Sequence, residues 1–137
     1  MQFPKDFLIK AKFLFIAIFS IYLIKIFLRL MTLESVISKV RKISDLLFTH
    51  DEINIPAGTI HTWYLMVTRK LNIQSCLINS LSQKIIFSYF GYHLSVVCGV
   101  RFDQESNFKG HAWLCYDDHI VFEDIKNIEK YTESFRV

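Results

Sequence analysis

Glycine and proline are scarce in this 137-residue chain: four glycines, isolated at Gly58, Gly91, Gly99 and Gly110, and two prolines. So few breakers exclude a collagen-like or Gly/Pro-rich disordered chain, and the isolated glycines leave no GxGxxG or GxxxxGKS/T run to cradle nucleotide phosphates. The three cysteines, Cys76, Cys98 and Cys115, are odd in number and widely spaced, with no CxxC. That pattern argues against a disulfide framework or a zinc knuckle and suits a reducing cytosol. The cations do not cluster either: Lys10, Lys12, Lys25 and Arg29 are scattered through apolar sequence, without the dense basic run of a nucleic-acid footprint. They are unevenly shared, however, with eight Lys+Arg against three Asp+Glu in residues 1–50 and five against eight in residues 91–137.

What the chain has in quantity is apolar surface, 52% of its residues, which is enough for one core and short for two. Residues 1–137 therefore read as a single domain. The run Phe13 to Ile24 is nearly continuous in apolar character, yet it is shorter than the roughly 20 residues a bilayer crossing needs and is followed by Lys25 and Arg29 without a small-x-small cleavage site. A buried helix is the expectation, with a membrane-associated or spanning helix as the alternative, its peripheral form being membrane contact through residues 7–31. Leu33, Val36, Ile37, Val40, Ile43 and Leu47 then follow helical spacing behind the capping Thr32, so residues 1–48 supply one hydrophobic and one amphipathic helix. A turn through Pro56-Ala57-Gly58 leads to a helix from about Thr59 to Leu71, and Leu77, Leu81, Ile85 and Tyr89 mark another from Cys76 to Phe90 with Gly91 as its stop. Past Gly91 the pattern turns to strands at His93–Phe102, Gly110–Tyr116 and Ile120–Phe122, the last two joined by Asp117-Asp118-His119, and a short helix is expected over Ile125–Tyr131. Helices first and antiparallel strands after make an α+β domain.

Two positions carry chemistry. Cys76 follows Ser75 at the start of a helical pattern, where unpaired backbone N–H groups and the helix dipole favour a thiolate and can stabilise a developing oxyanion. His111, in Gly110-His111-Ala112-Trp113, opens a strand, and the returning strand brings Glu123 or Asp124 back beside it to fix its tautomer. Cys76, Cys98, His111 and Cys115 lack the close ligand pairing of a zinc site. His50, His61 and His119 read as ordinary surface or capping residues, and Trp63, Tyr64, Tyr89 and Trp113 as core or groove packing, with Trp113 available to wall a cleft.

The ordered set Cys76-Leu77-Ile78-Asn79-Ser80-Leu81, Gly91, Cys98-Gly99-Val100-Arg101-Phe102, Phe108, His111-Ala112-Trp113-Leu114 and Tyr131 resembles the leader-peptide peptidases of lasso-peptide biosynthesis, over roughly Leu71 to Tyr131. The resemblance implies a transglutaminase/papain-like core over 59–131, its catalytic Cys at a helix N-terminus packed against a small antiparallel sheet. It implies Cys76 as nucleophile, His111 as general base and an acidic third member. An ungapped count from His111 puts that member on Glu123, whereas Asp124 has the family's chemistry after a one-residue adjustment and is slightly favoured for its shorter carboxylate. The chain departs from the family's pattern at Cys115, where Glu is usual, and at Asp118, where Gly is common.

The activity implied by the resemblance is amide hydrolysis at the leader/core junction of a precursor peptide through a thioester on Cys76, with no metal or nucleotide cofactor. Too little chain precedes residue 31 for a fused recognition domain, so a separate small leader-recognition protein is expected as partner, with an ATP-dependent lasso cyclase acting next. The first helix or the Ser35–Lys42 helix is the expected contact. A transglutaminase-like acyl transferase and a non-catalytic, membrane-associated scaffold are the alternatives.

Overall fold

The computed structural model describes residues 5–49 and 54–137, so His50 lies outside the described residues. Helix α1 (Lys5–Leu30) is followed by α2 (Leu33–Leu47), whose cap is the expected one: the Thr32 hydroxyl oxygen accepts from the Ser35 N–H. Helix α3 (Ala57–Leu71) begins two residues before the expected Thr59, because Pro56, at φ −57°, is already set for a helix start, and it ends on Asn72 in the left-handed conformation. Helix α4 (Cys76–Tyr89) begins at Cys76, with Ser75 accepting from the Ile78 N–H.

Every residue of α4 from Ser80 to Ser88 is buried. Helices α1, α2 and α3 pack on it, and so does the sheet, which makes α4 the central rod of the fold. Even Lys84 is drawn inside, its Nζ donating to the Leu94 carbonyl at 2.8 Å. Burial lowers the pKa of this amine from its ordinary value, and the neighbouring Asp45 partly opposes that effect.

Strands β1 (Ser95–Phe102), β2 (Phe108–Tyr116), β3 (His119–Val121) and β4 (Thr132–Arg136) form one antiparallel sheet in the order β3-β2-β1-β4, with α5 (Ile125–Ile128) between the last two strands. Alternation along β1 and β2 sends Val96, Cys98, Ala112 and Leu114 to the core around α4, while Val97, Trp113 and Cys115 meet Ile128 and Tyr131 on the opposite face. The β2–β3 connection is the two-residue Asp117-Asp118 turn, both residues at positive φ, so His119 belongs to β3 rather than to the turn. A glycine would relieve the conformation at Asp118, which instead pairs with Arg136 of β4.

Two expectations are corrected. Strand β4 was not anticipated: its sequence, Thr132-Glu133-Ser134-Phe135-Arg136, holds one apolar residue, and its pairing comes from the open edge of β1. Helix α1 is buried along one face only, through Phe13, Ala17, Ser20, Ile21 and Ile24, and its outer face, including Phe15, Phe19, Tyr22 and Ile26, is exposed. By length and composition alone α1 is sufficient to cross a membrane.

Candidate functional site

A cavity of about 180 Å³ opens where the first half of α4 meets the middle of β2. Cys76, His111 and Glu123 all line it, so the fold brings the expected nucleophile, base and one of the two expected acids to one place. Each arrives by a local rule. Cys76 is the first residue of α4, where helix geometry leaves the amides of Cys76 and Leu77 without intrahelical acceptors. His111 is carried on β2 opposite Gly99 of β1, and the Ser80 hydroxyl donates to the adjacent Ala112 carbonyl at 3.2 Å, pinning β2 to α4.

The acid comes from a break in a strand. If the β2–β3 register of Leu114 with Val121 and Cys115 with Ile120 continued, Asp124 would face His111. The chain leaves the ladder first, because Phe122 takes a positive φ of 64°, a rare conformation for a bulky residue. Glu123 is thereby turned onto His111, with Nε2 and Oε1 2.5 Å apart. A carboxylate only accepts, so Nε2–H donates and Nδ1 is left as the basic nitrogen. Asp124 is committed elsewhere, as the N-cap of α5 accepting from the Lys126 N–H at 3.0 Å. The slight preference for Asp124 is therefore corrected: its short carboxylate suits a helix cap, and the contact with His111 is made by Glu123.

His61 was expected to be an ordinary surface or capping residue, and it is neither. Its Nδ1 lies 2.8 Å from the Gln83 Oε1, and its ring stacks on Phe122, with centroids 4.1 Å apart and planes 9° from parallel. Phe122 also meets the buried Phe87, so the strained residue that aims Glu123 is held between α3 and α4. No spacing rule links positions 61, 83 and 122, and Gln83 is one of several polar residues in α4, beside Asn79, Ser80, Ser82 and Lys84, so nothing in the sequence singles it out.

The remaining candidates take structural places. Trp113 is buried beside Tyr131, and both rings lie near the His111 imidazole, at 6.0 and 5.4 Å. Trp63 packs edge-on against Phe13, and the buried Tyr64 hydroxyl donates to the Asn79 Oδ1. Cys98 and Cys115 are buried free thiols. Burial, with Cys76 adding to it, pushes the Cys98 thiol up to about 11, and burial also raises Cys115, so both are poor thiolates near neutrality. A second, mainly apolar cavity of about 420 Å³ reaches Cys76 and His111 from the side of Leu77, Val100, Phe108 and Phe135.

A family model described as the transglutaminase-like superfamily matches residues 57–136, which include Cys76, His111, Glu123, Asp124 and His61. Neither the curated proteins nor the solved structures contain a match.

Proposed function

Because this chain belongs to the transglutaminase-like superfamily, whose members suggest cysteine-protease or acyltransferase activity, we propose that it is a cysteine peptidase that removes the leader from a lasso-peptide precursor. The observation that carries the reading is the His111–Glu123 contact on the cavity that Cys76 also lines, at the N-terminus of α4.

In the proposed reaction His111 Nδ1 takes the Cys76 thiol proton, and Sγ attacks the carbonyl at the leader/core junction. Glu123 holds the imidazole by Nε2 and stabilises the imidazolium as it forms. The amides at the start of α4 receive the oxyanion charge. The imidazolium then protonates the departing amine, and water, deprotonated by the same histidine, releases the leader from the thioester. The apolar cavity on the Leu77 side offers room for a substrate side chain next to the scissile bond.

The proposed partners are the precursor's leader and a separate small leader-recognition protein, followed by an ATP-dependent cyclase. The proposed location is the cytoplasm, with α1 lying on an anionic membrane surface. Phe15, Phe19, Tyr22 and Ile26 fall within about 60° on the helix wheel, opposite the buried row. Five cations against the single Asp6 would repel a second copy of the same helix and attract anionic lipid.

The test is mass spectrometry of a lasso-precursor peptide incubated with this protein and a leader-recognition protein in heavy-oxygen water. Hydrolysis gives a leader carrying the label at its new C-terminus, and Cys76→Ala abolishes it. Unlabelled products joined through a new amide bond would replace the peptidase reading with acyl transfer. No reaction, with the partner bound to both proteins, would favour the scaffold.

A further inference from the structure

A third cavity, of about 270 Å³, shares only His111 and Glu123 with the 180 Å³ cavity that Cys76 lines. Its other walls include Arg101, Lys126, Lys130 and Tyr131. Three of these side chains are cationic, and the one acid among the lining residues, Glu123, is committed to His111. Arg101 is the unusual member. Its Cζ lies 5.2 Å from the Tyr131 ring centroid, and its Nε is shut away from solvent with no hydrogen-bond acceptor among the described residues. The shortage of acceptors is not one of composition, since residues 91–137 hold eight Asp+Glu. Yet among the described residues no carboxylate forms an ion pair with Arg101, Lys126 or Lys130. Arg101 and Lys130 also line a neighbouring cavity with Asp103 and Glu105, yet pair with neither. A half-buried guanidinium fixed over an aromatic face, with lysines across a cavity that pair with no described carboxylate, suits an anion that the described residues do not supply.

We propose that this cavity binds a carboxylate of the substrate peptide, an Asp or Glu side chain close to the scissile bond, and so selects acidic sequence around the junction. The proposal rests on the peptidase reading and extends it from a reaction to a substrate class. Arg101 is the positioning residue: its planar fork can take both carboxylate oxygens, while Lys126 and Lys130 add point charge at the exposed rim. Tyr131 touches both Arg101 and His111, which couples an occupied anion site to the histidine's ring position.

The experiment uses the full chain and two electrophiles that differ only in one charge, the α-amides of bromoacetyl-glutamic acid and bromoacetyl-glutamine. Rates of Cys76 alkylation are read by peptide mass spectrometry, with a small free thiol as reference. The neutral probe alone reports the nucleophile, and the ratio of acidic to neutral rates reports the anion site. The expected ratio exceeds that of the free thiol by about fivefold at low ionic strength and collapses in high salt. Arg101→Gln lowers it to the free-thiol value, and Arg101→Lys restores part of it. Lys126→Gln with Lys130→Gln, both at exposed positions, lowers it as well and carries the test if Arg101→Gln fails to fold. A wild-type ratio equal to that of the free thiol, or one unchanged in the folded variants, overturns the proposal while leaving the peptidase reading intact. A neutral probe that reacts with Cys76 no faster than with the free thiol overturns the peptidase reading, and the substrate site falls with it.

Discussion

Replacing Glu123 by Gln, with Asp124→Ala as its partner, separates two adjacent acids that the turn of the chain sends to different partners. Glu123 holds His111 Nε2 at 2.5 Å, and the two side chains are only 25% and 23% exposed, so their charge-assisted bond is partly shielded from water. Such bonds contribute about 1.5–3 kcal/mol, and most of this is felt when the imidazole becomes charged. Glu123→Gln keeps the side chain's size and removes that charge, so kcat for the proposed precursor cleavage falls about 10- to 150-fold, with circular dichroism and urea midpoint nearly unchanged. Asp124→Ala removes the cap of a one-turn helix: stability falls by about 0.5–2 kcal/mol and kcat stays within about threefold. The assay is single-turnover cleavage followed by mass spectrometry, beside urea unfolding of each variant. The reasoning is refuted if folded Glu123→Gln retains wild-type kcat, or if Asp124→Ala shows the larger catalytic loss.

Gly99 lies across the ladder from His111, and a β-carbon there would stand 2.6 Å from the buried Trp113 ring, so Gly99→Ala lowers stability by about 1–3 kcal/mol in urea and slows cleavage by displacing Trp113 beside His111. The lowered pKa of Lys84 means that the folded state releases this proton below the pH at which the unfolded chain does. Its burial penalty is therefore full below the folded value and fades as pH climbs through that value toward the ordinary one; the difference in urea stability between Lys84→Met and wild type is largest at the low end of a pH series and shrinks as pH approaches the ordinary lysine value, and a pH-independent difference contradicts this. On the outer face of α1, Phe15→Ser with Phe19→Ser and Tyr22→Ser leaves the fold intact and reduces co-sedimentation with anionic vesicles by about tenfold or more, while neutral vesicles bind wild type weakly. Wild type that ignores anionic vesicles, or a dimer that the same substitutions dissolve, sinks the membrane assignment.

How much of this was legible in the sequence depends on how local the cause is. The start of α4 was readable because Ser75 and the spacing of Leu77, Leu81 and Ile85 act within a few residues, and this put Cys76 at a helix N-terminus. The hairpin that returns an acid to His111 was readable in outline from Asp117-Asp118. The choice of acid was not, since it hangs on the left-handed Phe122, which is stabilised by two rings far earlier in the chain, His61 and Phe87. Strand β4 was hidden for the same reason, its pairing being supplied by β1 and not by its own pattern. In α1, an almost unbroken apolar run concealed which face is inside; only packing on α4 divides Ile21 from Tyr22.

The central claim is that Cys76 is the activated thiol and that His111 activates it. A limiting amount of iodoacetamide added to the folded full chain, followed by peptide mapping of Cys76, Cys98 and Cys115, tests this without any substrate. The account predicts one adduct, on Cys76, formed much more slowly in His111→Ala, while Cys98 and Cys115 stay unmodified until the protein unfolds. Labelling of Cys98 or Cys115 ahead of Cys76, or a Cys76 rate that does not respond to His111→Ala, would contradict it.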